Sequence, residues 1–269
     1  MDIATLCGMI RLQPEAVSKV LHFAKDFDFQ TIEPQLEALR DYKRMRMVHL
    51  ELANRLEQDA DGMKMLACML YASARIYDAY KSRGIRDRIY VATMQCYTRF
   101  LWETHRITGC YCFDRSFWTG RQAGFHLFRL GELEYEIKPL DSETVISIHI
   151  PSDAKFTPEN VEASLQSAQE FFPKLDTALA DCQYVCHSWL MDPSLKEMLG
   201  KDSNILQFQN RFRITDPGEI STEVIGWVFQ SRETDHRKLP ERTTLQRNMK
   251  QYLLSGGVIR NAYGQLLRQ

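Results

Sequence analysis

The chain has 269 residues, a formal net charge of −1, 44% hydrophobic residues and 26% charged residues. These values exclude a largely disordered chain and a whole-molecule electrostatic footprint for nucleic acid, and the length allows one large core or two ordinary ones. The N-terminal stretch MDIATLCGMIRLQPEA starts with an acid and has no basic segment ahead of an apolar run, and no apolar run is long enough to span a bilayer. The expectation is a cytoplasmic protein without membrane contact.

The first hundred or so residues read as helices. Pro14 and Glu15 open one, with Val17, Val20, Leu21, Ala24 and Phe27 as its apolar stripe. Pro34 opens the next, with Leu36, Leu39 and Tyr42 inward. Met63, Leu66, Leu70, Ala74 and Tyr77 mark a third that Gly84 stops. A fourth runs from Arg86 through Ile89, Thr93, Cys96, Phe100 and Leu101 to Gly109. Such stripes bury against one another in a bundle.

After Gly109 the periodicity changes from helical to alternating, which sets the expected domain boundaries at 1–108 and 109–269. Leu127 and Arg129, then Leu133, Tyr135 and Ile137, alternate with their neighbours around a turn at Gly131, predicting a hairpin. In the strand Thr144 to Ile150, Ile146, Ile148 and Ile150 share one face and Val145, Ser147 and His149 the other. The isoleucines are expected in the core and His149 in an open cleft. Thr157 then caps a helix that Pro158 begins. A strand at Tyr184 to Leu190, helices at Ser194 to Leu199 and Asn204 to Phe212, a helix at Glu241 to Leu254 and a strand from Val258 complete the order. The segment Glu223 to Gln230 is unassigned. The predicted fold class is α+β: a helical bundle, then an α/β sandwich on a mixed sheet.

Several stretches together carry a resemblance. They are FRLGELEYE (Phe128 to Glu136), HIPSDA (His149 to Ala154), YVCHSWLMDPSL (Tyr184 to Leu195), SNILQFQNRF (Ser203 to Phe212) and SGGVIRNAYG (Ser255 to Gly264). In order and spacing the chain resembles a bacterial two-domain acyltransferase-like family, in which a helical N-acyltransferase N-terminal domain precedes a GNAT-like domain. The resemblance implies an acyl-CoA-dependent N-acyltransferase with acyl-CoA or acetyl-CoA as co-substrate and a small-molecule amine or a peptide as acceptor. It places the coenzyme on Ile148, His149 and Ile150, whose main-chain groups would pair with the pantetheine arm. It places the phosphates on Ser152, Asp153, Ala154 and Lys155. GNAT enzymes usually carry a glycine-rich loop there, so that bare amides reach a pyrophosphate. Between Ile150 and Pro158 this chain has no glycine, and between Asn204 and Phe212 it has no tyrosine to protonate a departing thiolate. These departures keep open an alternative: a catalytically inactive GNAT-fold protein that binds a small molecule or a partner.

Amine attack on a thioester needs a base, and an imidazole accepts a proton near pH 7. His149 and His187, on the two strands that would flank the acceptor channel, are the candidates. Glu132, Glu134 and Glu136 recur at period two on a hairpin strand. Glu134 is the central candidate base among them, against a plain reading of all three as a solvated face. Cys186 next to His187 points to the opposite face, which argues against a thiol nucleophile. The aromatic residues Tyr111, Phe113, Phe117 and Trp118 suit either a pocket roof or a core.

Seven cysteines occur, an odd number, and neither Cys110 and Cys112 nor Cys182 and Cys186 has the spacing of paired zinc ligands, so no metal is expected. The basic runs Lys43, Arg44, Arg46 and Lys81, Arg83, Arg86, Arg88 are interleaved with Asp41, Asp78 and Asp87. Surface ion pairs account for them better than nucleic acid does. Oligomeric state is not legible.

Overall fold

Asp2 starts the first helix by accepting the main-chain N–H of Thr5 at 2.7 Å. The computed structural model describes residues 1–231 and 233–267. It divides into two units: Met1–Leu130 with Glu134–Pro139, and Gly131–Leu133 with the described residues from Leu140 onward.

The first unit holds helices α1 (Ile3–Met9), α2 (Pro14–Asp26), α3 (Glu33–Ala38), α4 (Tyr42–Leu56), α5 (Met63–Ser82), α6 (Asp87–Met94), α7 (Cys96–Thr108) and α8 (Ser116–Ala123). Strand β1 (Leu127–Leu130) and most of β2 (Leu133–Leu140) follow. Helix α5 is the centre: Met65 to Leu70 are all buried, so its first half is apolar on every side, and it packs on α1, α2, α4 and α8. The helix predicted from Pro34 is two, because the Asp41 carboxylate accepts from Lys43 N at 2.9 Å and starts α4 afresh. The helix predicted from Arg86 is also two, divided at Gln95. Gly109 takes φ +77° and closes α7 in the left-handed conformation. The unit runs past it, through a helix, α8, that the aromatic-rich segment did not announce. Gly131, at φ +70°, turns β1 into β2, as the sequence predicts.

The second unit contains β3 (Glu143–His149), α9 (Pro158–Leu175), β4 (Gln183–Ser188), α10 (Leu195–Met198), α11 (Asn204–Gln209), β5 (Phe212–Ile220), α12 (Val224–Phe229), α13 (Thr244–Leu254) and β6 (Arg260–Leu266). Its strands lie in the order β3-β4-β6-β5, with β3 and β4 parallel and the other pairs antiparallel. Helices followed by a mixed sheet with helices make the fold α+β, as expected. Leu195, Met198, Leu206, Val224, Met249 and Ile259 form a core that Leu245 and Tyr252 extend.

One strand was not predicted. The segment read as a helix to Phe212 stops at Gln209, and Phe212 begins β5. The alternation of β5 is broken by register shifts between Ile214 and Asp216 and between Pro217 and Ile220. The unassigned segment 223–230 contains α12.

Candidate active site

The β3/β4 ladder pairs Val145 with Gln183, Ile146 with Tyr184 and Ser147 with Val185, and ends there. Yet β3 runs on to His149 and β4 to Ser188. The far edge of β4 remains paired with β6: Cys186 opposite Gly264, His187 opposite Tyr263, Ser188 opposite Ala262. Two parallel strands therefore part at their C-terminal ends, and Ile148 lies beyond the last β3/β4 register pair. Partners in register share a face, so His149 and His187, each two residues beyond the Ser147–Val185 pair, lie on one side of the sheet. Ile148 and Cys186 lie on the other.

Burial corrects the sequence reading of β3. Val145 and Ser147 are as buried as Ile146 and Ile148, so both faces of the strand are covered rather than one. Ile150, expected in the core, is half-buried beyond the strand's end, and His149 is half-buried as well.

His187 is the more accessible imidazole, with its side chain 43% exposed. Its Nε2 stands 3.8 Å from Glu219 Oε2 on β5. Asn261 Nδ2 donates to Glu219 Oε1 at 2.9 Å. That bond, the Glu219 main-chain N–H and then His187 hold the Glu219 carboxyl below the ordinary range. Tyr263 shares the His187 face through the β4/β6 register. Burial raises its phenol, with the Asp141 charge adding, so it stays protonated at neutral pH. Glu219, Asn261 and Tyr263 escaped the sequence reading. Glu219 lies in the unpredicted strand, and only strand register brings the other two to His187.

The turn into α9 is built as predicted, with Thr157 Oγ1 accepting Asn160 N at 3.3 Å and Pro158 in the first helical position. Ser152, Asp153 and Lys155 are exposed and Ala154 is half-buried. Several amides of this loop are engaged: Ala154 N donates to Pro151 O at 3.1 Å and Thr157 N to Lys155 O at 2.8 Å. Lys155 N donates to the Glu132 carboxylate at 2.8 Å. An internal carboxylate thus sits on a main-chain N–H at the approach to α9.

Glu134 is not on an open face. It is 2% exposed, and its Oε1 accepts from Arg99 Nη2 at 2.7 Å. Glu136, equally buried, accepts from Arg121 Nε at 2.9 Å and from Tyr42 Oη at 2.7 Å. Period two in the glutamates predicts a solvated face. The structure instead spends these two on buried cation pairs, which removes Glu134 from the groups an acceptor can reach. The aromatic cluster is divided as well: Tyr111 stacks on His105 and Trp118 lies under Arg121.

The Cys186 thiol is fully buried, and burial pushes its pKa up to about 12. Among the described residues no group of three His, Cys, Asp or Glu is arranged to hold a metal ion. No described helix is long and apolar enough to cross a membrane.

Residues 127–266 match the family described as the GNAT-like C-terminal domain. The chain belongs to that family. Residues 1–124 of this GNAT-like protein match the N-acyltransferase N-terminal domain. No curated protein matches. Among solved structures, a mutant acyltransferase in complex with octanoyl-CoA is similar over 98% of this chain and 87% of that one, with a TM-score of 0.79 at 19% identity. An acyltransferase in complex with decanoyl-CoA and teicoplanin is similar over 99% of both chains, with a TM-score of 0.72 at 18% identity. A complex with decanoyl-CoA alone gives 0.72 at 19% identity, again over 99% of both. At these identities the likeness establishes the fold.

Proposed function

We propose that this GNAT-like protein is an acyl-CoA-dependent N-acyltransferase. The observation that carries the reading is the parting of β3 and β4 after the Ser147–Val185 pair. Beyond that pair the two strands diverge and leave room for an amide-bearing chain to lie along β3, and the pantetheine arm of coenzyme A is such a chain. Main-chain groups of Ile148, His149 and Ile150 hold the arm, and the loop Ser152, Asp153, Ala154 and Lys155 meets the phosphates. The solved relatives bound to octanoyl-CoA and decanoyl-CoA support a fatty acyl donor.

In the reaction, the acceptor nitrogen attacks the thioester carbonyl carbon. The N–C bond forms, the C–S bond breaks and the amine loses one proton. His187, held beside Glu219, takes that proton; His149 on the same face is the other candidate. Tyr263 supplies a proton to the departing thiolate, filling the role that no tyrosine between Asn204 and Phe212 provides. Main-chain N–H groups near the thioester stabilise the oxyanion. The acceptor is a small-molecule amine or a peptide-like amine, in keeping with a relative that binds teicoplanin.

Incubating octanoyl-CoA with a panel of primary amines and following free thiol tests the reading. Acceptor-dependent thiol release is expected, falling by about 100-fold in His187→Ala if His187 is the base. The second reading, a binding protein without transfer chemistry, is favoured by Glu132 occupying the Lys155 amide. Octanoyl-CoA binding without thiol release from any amine, or no binding at all, would support it.

A further inference from the structure

Helix α4 carries apolar side chains on the face where an amphipathic helix is normally most polar. Met45, Val48, Leu52 and Leu56 are its buried stripe. At about 3.6 residues per turn, Met47 and Leu50 fall on the opposite crest, together with Lys43 and Asn54. Met47 is 53% exposed and Leu50 48%. Phe117 of α8, also 53% exposed, meets His49 of α4 edge to face with ring centroids 6.4 Å apart, so it borders the same surface.

The crest is cationic as well as apolar. Lys43, Arg44 and Arg46 are exposed. Sequence spacing offers Asp41 as their partner, but its carboxylate caps the helix, accepting the main-chain N–H of Lys43 at 2.9 Å and of Arg44 at 3.4 Å. Among the described residues no ion pair holds any of the three cations. Arg55, at the far end, donates to Thr31 O at 2.7 Å, and Glu51 is the one carboxylate in the α4 sequence. The helix thus sets four cations against one carboxylate in a chain whose net charge is −1.

We propose that the outward face of α4, with Phe117, docks on an anionic phospholipid bilayer. Charge and shape separate this occupant from the others. A second copy would bring Lys43, Arg44 and Arg46 against their own equivalents. A nucleic acid would hold the cations but press Met47 and Leu50 on a hydrated phosphate backbone. A partner helix lays its apolar face in a groove, whereas the crest of α4 is convex. An anionic bilayer suits every part: the headgroups meet the cations, whose long stems reach past the apolar side chains, and Met47, Leu50 and Phe117 enter the acyl boundary. Such contact departs from the expectation of a protein without membrane contact, because that expectation follows from the lack of a spanning segment, which a surface-lying helix does not need. The surface is independent of acyl transfer.

The test is co-sedimentation of the full chain with vesicles of equimolar phosphatidylglycerol and phosphatidylcholine, and with vesicles of phosphatidylcholine alone. Binding to the anionic vesicles is expected, at least about 25-fold tighter than to the neutral ones, since each cation near an anionic surface contributes about fivefold. Lys43→Gln combined with Arg46→Gln is expected to weaken it about 25-fold. Met47→Ser combined with Leu50→Ser is expected to weaken it about tenfold at unchanged charge. All four positions are exposed, so thermal stability is expected to hold in both variants. Equal binding to the two vesicle types, or no loss in either variant, would overturn the assignment. So would the absence of vesicle binding, and a wild-type dimer that Leu50→Ser dissociates in sedimentation velocity would then give the face to a second copy. None of these outcomes bears on thiol release.

Discussion

Glu132 is the residue on which coenzyme affinity turns. Its carboxylate accepts the Lys155 N–H at 2.8 Å, at the approach to the α9 N-terminus, where an anion is stabilised by the helix dipole. Glu159 stands in the first turn of the same helix, its carboxyl held below the ordinary range by its own main-chain N–H and by Thr157. A phosphate entering this loop meets one carboxylate on an amide and another on the dipole. Glu132→Gln keeps the size and removes the charge. It is expected to tighten octanoyl-CoA by up to about fivefold at low salt, since exposed charge interactions reach only about 1 kcal/mol. Calorimetry on both proteins measures this. Weaker binding in the variant would show that Glu132 builds the loop rather than competing for it. The sequence displayed the missing glycines between Ile150 and Pro158, but not that a carboxylate from the β1–β2 turn fills the place they leave.

Among the elements, those whose ends are satisfied within a few residues were legible. Pro14 at the start of α2, Thr157 with Pro158 at α9 and Gly131 in the hairpin turn each carry their own local reason. Elements that depend on distant chain were not. The bulges of β5 exist only against β6, so a stretch containing Pro217 and Gly218 gives no alternating signal of its own. Likewise, period two in Glu132, Glu134 and Glu136 reports a strand but not which face meets water. The partners that bury Glu134 and Glu136 are Arg99 on α7 and Arg121 on α8. Breaking a buried pair leaves an uncompensated charge, so Arg99→Ala is expected to destabilise the protein by about 3–5 kcal/mol. Urea unfolding provides the measurement. A loss below about 1 kcal/mol, the level of a surface pair, would mean that water reaches Glu134.

For the whole molecule, the α+β class and the passage from helices to strands follow from a change of period that any reader of the chain can find. The chemistry at His187 does not. Glu219, Asn261 and Tyr263 come to it from β5 and β6, and only the paired registers of three strands bring them together. Even the gap between β3 and β4 is a property of where a ladder stops, which no residue type marks. That gap is also the centre of the functional reading. Residue-resolved amide hydrogen exchange, with and without octanoyl-CoA, addresses it directly. Slowed exchange concentrated at Ile148, His149 and Ile150, with β5 unchanged, is the expected result. Binding that leaves those three amides unprotected, or protection confined to another part of the chain, would contradict an acyl-CoA site between the parted strands.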